Sequence, residues 1–333
     1  MEKILTISVA AYNVEKFLGQ TLDSCVNIEK EILDKIEVFI VDDGSKDNTQ
    51  RIGEDYQKKY SDSIYYIKKE NGGHGSTVNY SMQHAKGKYF MLLDGDDWVD
   101  SEQFEKLVVL LEKEESDIVS CSYNMVDNDT LKVKGVDNNK EFTCYQKYKA
   151  EEVLNTARIY LAGLVIKTEI LKEHPFRLTE KCFFVDMEYV TFPIPYVETV
   201  TFYDLVVYQC RTALAGQSTS RMGSVKHADD HVKVAKSLAE FYCKEKERNI
   251  EAYKLKYIFN MCAKVIEDVY LLPFSFPVSD KTIRKKILEF DSYLKRTDQE
   301  LYDIRFRKKV CVMRKTSYIG WRIIAILDRF NSR

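Results

Sequence analysis

Closely spaced carboxylates follow an apolar run in the first third of the chain. Asp94, Asp96 and Asp97 come directly after residues 89–93, which are apolar or aromatic throughout. Carboxylates this close repel one another, and Mg²⁺ or Mn²⁺ would relieve the repulsion while taking further ligands from water and a substrate phosphate. The alternative is a solvated acidic turn that caps the next helix. At the end of a buried strand we favour a metal site, formed by Asp96 and Asp94.

A second acidic group follows another largely apolar run. Asp42 and Asp43 come after residues 36–41 and precede Gly44 and Ser45. Asp42 lies nearer the apolar run, where its carboxylate could accept a hydrogen bond from the N–H of a base. Asp and Ser beside Gly are also typical of a turn that caps a helix. Both interpretations stay open.

A glycine-rich loop (residues 71–75, Asn-Gly-Gly-His-Gly) lies between these two groups. Glycine lets the backbone approach a ligand closely. The loop matches neither G-x-G-x-x-G nor the P-loop, which argues against an NAD enzyme or an ATP hydrolase. His74 is interpreted as lining the loop rather than as an acid or base.

These residues are positioned by regularly alternating strands and helices. Repeated β-α-β units predict an α/β fold, with a mostly parallel sheet flanked by helices and ligands at the carboxyl ends of the strands. The predicted strands are residues 4–10, 36–41, 64–67, 89–93 and 118–123. The predicted helices are residues 15–28, 47–60, 75–85 and 101–115, the last with Ser101 as its N-cap.

The second half of the chain predicts a different organisation. Helices are expected at residues 151–160, 168–173 and 184–192, and strands at 164–166, 197–202 and 205–210. From residue 224 the pattern is almost wholly helical, which predicts a domain boundary near 220: residues 1–220, then a helical region, 221–333. Residues 225–333 carry a net charge of +9, against −11 for the rest. This asymmetry suggests two regions with different partners.

Cysteine usage and hydropathy indicate the compartment. None of the eight cysteines forms a C-x-x-C pair, which argues against zinc or redox motifs. The N-terminal residues run straight into a strand-like segment without a signal-peptide pattern. No apolar run approaches the ~20 residues that span a bilayer. A cytoplasmic protein with reduced thiols is the expectation.

Four motifs stand in a fixed order and spacing along the chain: Ser-Val-Ala-Ala-Tyr-Asn (8–13), Val-Asp-Asp-Gly-Ser-Lys-Asp-Asn-Thr (41–49), Asn-Gly-Gly through Asn79 (71–79) and Gly-Lys-Tyr-Phe-Met-Leu-Leu-Asp-Gly-Asp-Asp (87–97). Together they resemble the family 2 glycosyltransferases. The resemblance is dense over residues 4–125 and thins out to about 220. Two positions depart from the family: Ala11 stands where Pro is common, and Val78 where Arg usually precedes Asn79.

The resemblance implies a GT-A fold, a UDP-sugar donor, Mn²⁺ or Mg²⁺, and inversion at the anomeric carbon. It implies that Asp96 binds the metal, with Asp94 on the ribose or sugar side, and that Ala10, Tyr12 and Asp42 hold the base. The remaining nucleotide-sugar positions are Asn13, Asn71, Gly72, Gly75 and Gly95. The acceptor would be a hydroxyl of a glycan, glycolipid or glycoprotein, and glucose or galactose is the favoured sugar.

The family's general base is an Asp at the start of a helix, and its counterpart here is Asp186, with Glu188 second. Phe183 and Phe184 precede it, and apolar neighbours raise a carboxyl pKa by desolvation. The Glu that usually precedes the Asp is replaced by Val185. The alternative is an ordinary acid stabilised by the helix dipole.

Basic residues in the second half are harder to interpret. Arg211 or Arg221 would meet the diphosphate, or would be a surface arginine. His227 and His231 have a helical metal-ligand spacing, but without a third ligand a solvated face is favoured. The basic, apolar-rich segment 302–333 predicts contact with another copy of the chain or with a membrane surface, and no nucleic-acid partner.

Three functions stay open on the sequence. The leading one is an inverting, metal-dependent hexosyltransferase. A nucleotidyltransferase could use the same acidic strand end, and a non-catalytic subunit of a glycosylation complex could bind the nucleotide sugar without turnover.

Overall fold

Two compact units make up the chain, residues 1–214 and 215–333. The computed structural model describes residues 2–136, 140–174, 176–214, 221–276, 282–304 and 308–316. The division lies a few residues before the predicted boundary at 220.

The first unit is built on one sheet, which contains ten strands among the described residues. Its main path runs β3-β2-β1-β4-β9-β6-β10-β5, while β7 pairs with β6 and β8 with β10. The strands are β1 (Leu5–Ala11), β2 (Ile36–Asp42), β3 (Ile64–Lys68), β4 (Tyr89–Asp94), β5 (Trp98–Val99), β6 (Ile118–Asp127), β7 (Val133–Val136), β8 (Lys147–Lys149), β9 (Leu164–Lys167) and β10 (Thr199–Thr212).

Strands β1 to β4 pair in parallel, as do β6 and β10, while β5, β7, β8 and β9 pair antiparallel. The helices of this unit are α1 (Leu18–Val26), α2 (Lys30–Leu33), α3 (Thr49–Lys59), α4 (His74–His84), α5 (Ser101–Leu111), α6 (Ala150–Val153), α7 (Thr168–Glu173) and α8 (Asp186–Tyr189). The predicted α/β fold with a mostly parallel, helix-flanked sheet is confirmed.

Helices pack against both faces of the sheet. Side chains along β1 point alternately to the two faces, so each face offers contacts to a helix. Ile7 and Val9 pack into one core with Leu22 of α1 and Leu107 of α5. Ser8 points to the other face, where its hydroxyl donates to Ser81 of α4 at 2.7 Å.

The parallel register brings the polar strand ends together. Ala11 of β1 lies opposite Asp42, and Ala10 lies opposite both Val41 and Asp94. The carboxylates that follow β2 and β4 therefore meet at one edge of the sheet, as expected for parallel strands.

Four local predictions differ from the structure. The predicted strands 197–202 and 205–210 form one strand, β10, because two bulges between Tyr203 and Tyr208 absorb the break without ending the pairing with β6. Helices α6 and α8 are each only four residues long. The N-cap of α5 is Asp100, whose carboxylate accepts from the Gln103 N–H at 3.1 Å.

The second unit is helical throughout its described residues. Its helices are α9 (Arg221–Lys226), α10 (Ala228–Glu247), α11 (Ala252–Leu271), α12 (Thr282–Thr297), α13 (Gln299–Tyr302) and α14 (Lys308–Lys315). Arg314 of α14 donates to Asp291 at 2.8 Å and stacks over Tyr302 at 4.0 Å, so this basic residue serves packing within the unit.

None of the described helices is long and apolar enough to cross a membrane. Residues 317–333, most of the segment predicted to contact a membrane or another copy, lie outside the described residues.

We predict opposite effects of alanine at two glycines. A Cβ at Gly87 would lie 2.5 Å from the Thr6 nitrogen of β1, so Gly87→Ala forces the backbone apart and destabilises by about 1–3 kcal/mol. Gly19→Ala is the matched control, because a Cβ at this helical position has no neighbour within 4 Å, and we expect about 0.5–1 kcal/mol of stabilisation. Urea denaturation measures both, and an unfolding midpoint for Gly87→Ala at or above that of the wild type would contradict the packing argument.

Candidate active site

The loops that follow β2 and β4 are held against the end of β1. The Asp43 N–H donates to the Ala11 carbonyl at 2.9 Å, and the Gly95 N–H donates to the Ala10 carbonyl at 3.0 Å. A Cβ at Gly95 would lie 2.7 Å from that carbonyl oxygen. Glycine at 95 is therefore required for the loop to approach β1.

Asp42 is fully buried and shapes the turn after β2. One carboxylate oxygen accepts from the Ser45 N–H at 2.7 Å, and the other accepts from the Tyr66 hydroxyl at 2.6 Å. The neighbouring turn is locked by Asn13, whose side-chain oxygen accepts from the Lys46 N–H at 2.8 Å. Tyr12, which precedes Asn13, is 49% exposed. It is the most exposed of the three residues predicted to hold the base, the other two being Ala10 and Asp42.

Asp43 anchors the glycine-rich loop rather than capping a helix. Its carboxylate accepts from the N–H groups of Gly72 at 2.8 Å and Gly73 at 2.7 Å. Lys69 donates to it at 2.8 Å, and the Asn71 amide donates to its backbone carbonyl at 3.0 Å. The side chain at the start of α3 that accepts from the Thr49 N–H is that of Asp47, at 3.0 Å.

Gly75 serves helix packing in this structure. A Cβ there would lie 2.4 Å from the Thr179 carbonyl oxygen, so glycine lets α4 approach the 178–181 segment. The side chain of the adjacent His74 reaches the end of β4, where its Nε2 lies 3.1 Å from Asp94 Oδ1.

His74 and four carboxylates, those of Asp43, Asp94, Asp96 and Asp186, form an electrostatic cluster. Burial would lower the pKa of His74, but the hydrogen bond to Asp94 and the charges of Asp94, Asp186 and Asp43 raise it. Burial raises the pKa of Asp96 to about 6, with the charge of Asp94 adding to the effect. The structure thus brings together the residues predicted for the donor, the metal and the base.

Asp97 is a buried structural acid. Its carboxylate accepts from the Tyr208 hydroxyl at 2.7 Å and from the Arg211 N–H at 2.6 Å. Desolvation raises its pKa well above the usual range, and the charges of Asp94 and Asp96 add to this.

Arg211 is a buried tether and not the surface arginine that the sequence left open as the alternative. Its guanidinium lies 4.8 Å from the Phe17 ring and 4.6 Å from the Trp98 ring. It donates to the Asp96 carbonyl at 2.7 Å and to Gln20 at 2.6 Å. These contacts fasten β10 to the acidic loop and to α1, because a guanidinium donates in several fixed directions.

Asp186 and Glu188 have different surroundings although both lie in α8. Asp186 is exposed to solvent, yet the protein around it desolvates the carboxyl enough to raise its pKa, with Asp94 adding and His74 opposing. Glu188 is fully buried, and its carboxylate accepts from the Thr179 N–H and hydroxyl, both at 2.7 Å. Only Asp186 is open to a substrate hydroxyl.

Several residues of the site could not be found from local patterns. Tyr66, Tyr208 and Thr179 each bind a site carboxylate, but nothing in their own spacing indicates the partner.

In the second unit, Nδ1 of His227 lies 3.1 Å from Asp230. Within the described ranges, no group of three or more His, Cys, Asp and Glu residues is arranged to hold a metal.

The family model for glycosyl transferase family 2 matches residues 6–174. The matched residues make up half of the chain and include the β-α-β core and the acidic edge of the sheet. The chain belongs to glycosyl transferase family 2, as the four motifs predicted.

Two relatives from Bacillus subtilis show how far the similarity extends. The uncharacterized glycosyltransferase EpsJ is 36% identical over 129 residues, 39% of this chain and 36% of EpsJ. The minor teichoic acid biosynthesis protein GgaB is 30% identical over 180 residues, 53% of this chain and 19% of GgaB. The aligned part thus spans about a third of one relative and a fifth of the other.

Solved structures share the fold over most of the chain. Staphylococcus aureus TarS 1–349 in complex with UDP-GlcNAc has a TM-score of 0.56 at 17% identity, covering 89% of this chain and 93% of TarS 1–349. The mannosyltransferase PcManGT of Pyrobaculum calidifontis, in complex with GDP-Man and Mn²⁺, has a TM-score of 0.53 at 15% identity, covering 98% and 86%. At these identities the likeness concerns the fold alone.

We predict that Asp43→Asn weakens UDP binding. An amide nitrogen facing the N–H of Gly72 or Gly73 leaves a buried donor unpaired, which destabilises the loop by about 1–3 kcal/mol. UDP must then restore the loop on binding, so its affinity falls by up to that amount, roughly 5- to 150-fold. Isothermal titration with UDP measures this. The control is Asp55→Asn, the same charge change on the exposed face of α3, and equal affinities of the two variants would contradict the anchoring role.

Proposed function

We propose that this chain is an inverting glycosyltransferase that moves a hexose from a UDP-sugar to a hydroxyl of a glycan acceptor, with glucose or galactose favoured. The observation that carries the proposal is that Asp94, Asp96 and Asp186 all belong to the electrostatic cluster around His74. Two kinds of acid belong to it: a closely spaced pair at the end of β4, and one exposed acid at the start of α8.

The acid pair suits a divalent cation. Asp94 and Asp96 offer hard oxygen donors, and their mutual repulsion contributes to the raised pKa of Asp96, which a cation would relieve. Mn²⁺ or Mg²⁺ would be held by these two residues, with other ligands from water and the diphosphate. When bound, it would neutralise charge on the diphosphate leaving group.

Asp186 is proposed as the general base. Its carboxylate would take the proton of the acceptor hydroxyl while the hydroxyl oxygen bonds to the anomeric carbon. The bond from that carbon to the diphosphate breaks, and its electron pair leaves with UDP. Attack opposite the leaving group inverts the anomeric carbon.

The remaining residues would position the donor. Asp43 shapes the glycine-rich loop, whose backbone would line the nucleotide, and Tyr12 would stack on or border the base. Arg211 keeps the acidic loop in place through the Asp96 carbonyl. The two proteins of this fold described above, one with UDP-GlcNAc and the other with GDP-Man and Mn²⁺, support a nucleotide-sugar donor.

A donor screen tests the proposal directly. UDP-Glc, UDP-Gal and UDP-GlcNAc are compared with GDP-Man in the presence of Mn²⁺, and the released nucleotide is measured. We expect UDP from at least one UDP-sugar. Release of pyrophosphate would instead identify a nucleotidyltransferase, and tight UDP binding without turnover would identify a non-catalytic subunit.

We predict that Asp96→Ala abolishes Mn²⁺-dependent release of UDP, because one of the two oxygen donors is lost. Turnover is measured across a Mn²⁺ titration, with Asp55→Ala as the control on an exposed surface. Full activity of the wild type in EDTA would show that the metal assignment is wrong.

We predict that Asp186→Asn loses transfer while keeping wild-type UDP affinity, because the amide cannot accept a proton. The base works only when ionised, and its raised pKa keeps the carboxyl protonated to a higher pH than an ordinary Asp. The wild-type kcat should therefore fall as the pH decreases, beginning above the usual carboxyl range. A pH–rate profile that is the same in Asp186→Asn and the wild type would place the base elsewhere.

A further inference from the structure

One buried amide joins α4 to the segment that precedes α8. The Asn79 side chain donates to the Leu178 carbonyl at 3.0 Å and accepts from the Leu178 N–H at 2.9 Å. The same amide nitrogen lies 3.2 Å from a Glu180 carboxylate oxygen. Asn79 thus binds both backbone groups of one residue, as a neighbouring strand would.

The same segment is also bound by Glu188. This fully buried carboxylate accepts from both the N–H and the hydroxyl of Thr179. Glu188 lies two residues after Asp186 in α8. A shift of Thr179 would therefore be transmitted to the helix that carries Asp186.

The glycine-rich loop contacts this segment as well. The Lys181 N–H donates to the Gly72 carbonyl at 2.5 Å, and Gly75 allows Thr179 to lie against α4. Lys181 and Phe184 both have left-handed backbone conformations, at φ 51° and 65°. Residues other than glycine adopt this backbone conformation only where the surrounding structure imposes it.

We propose that Asn79 and Glu188 are positioning residues that fix the Asp186 carboxylate relative to the glycine-rich loop. This inference rests on the proposed function and deepens it: Glu188 acts through Thr179 rather than as a base. The two residues connect the part of the site that would hold the donor with the part that would receive the acceptor proton.

Positioning matters here because transfer needs the base, the hydroxyl and the anomeric carbon in one arrangement. A displacement of about 1 Å from a distant change can cost roughly 100-fold in rate. UDP binding should be less sensitive, because Asp43 anchors the glycine-rich loop independently of the 178–181 segment.

The first test compares Asn79→Asp with Gln83→Glu. Aspartate cannot donate to the Leu178 carbonyl and places a charge beside Glu180, while Gln83→Glu makes the same change of charge on the exposed face of α4. We expect Asn79→Asp to lower kcat for transfer about 100-fold with UDP affinity near that of the wild type. Gln83→Glu should keep the wild-type kcat. Equal kcat values for the two variants would overturn the role of Asn79.

The second test separates positioning from base chemistry at Glu188. In Glu188→Gln the amide oxygen can accept from the Thr179 N–H and the amide nitrogen can donate to the Thr179 hydroxyl, so positioning is retained while basicity is lost. We expect Glu188→Gln to keep most of the transfer rate and the wild-type pH profile. Thr179→Val, which removes one of the two hydrogen bonds at an intact Glu188, should lower kcat while UDP binding persists.

The outcomes distinguish the two levels of the proposal. If Glu188→Gln is as inactive as Asp186→Asn and loses the acid limb of the profile, Glu188 is a base and the positioning role is wrong. If the wild type releases no UDP from any donor, the proposed function itself fails. If the wild type transfers sugar and Thr179→Val is unaffected, only the positioning role of Glu188 fails.

Discussion

The collection of carboxylates at one sheet edge is the constraint on which the first unit depends. The parallel register of β2, β1 and β4 places the acids that follow these strands next to one another. Negative charge removed from water is costly unless it is hydrogen-bonded or paired. Donors from distant parts of the chain bind the buried carboxylates and offset that cost.

Each compensating group also holds a part of the site in place. The carboxylate of Asp43 is satisfied by the amides of the glycine-rich loop, and the loop takes its shape from those bonds. The carboxylate of Asp97 is satisfied by the hydroxyl and the backbone of β10, which ties that strand to the acidic loop. The same hydrogen bonds therefore stabilise the buried charges and hold the parts of the site in place.

The acids divide into two groups by how fully the protein satisfies them. Asp42, Asp43, Asp97 and Glu188 are buried and bonded by protein donors. Asp94, Asp96 and Asp186 are less buried, and the pKa values of Asp96 and Asp186 are raised by desolvation. Asp97 also has a raised pKa, but protein donors already bind its carboxylate, so the proposed cation and base are assigned to the less satisfied acids of the second group.

The sequence by itself determined the main elements of residues 1–125 and the membership of the family. Hydrophobic periodicity located every strand and helix predicted in residues 1–125, with ends shifted by a few residues, because burial on one or both faces leaves a local pattern. The four motifs placed the acids correctly at the strand ends. Only the tertiary structure decided what each polar side chain does. Arg211 reaches the Asp96 carbonyl across 115 positions of the chain, and Glu188 is bound by a threonine that no spacing indicates. A hydrogen-bond partner is chosen by proximity in the folded chain, so the same residue types at the same spacing are equally compatible with a ligand contact and with a buried tether.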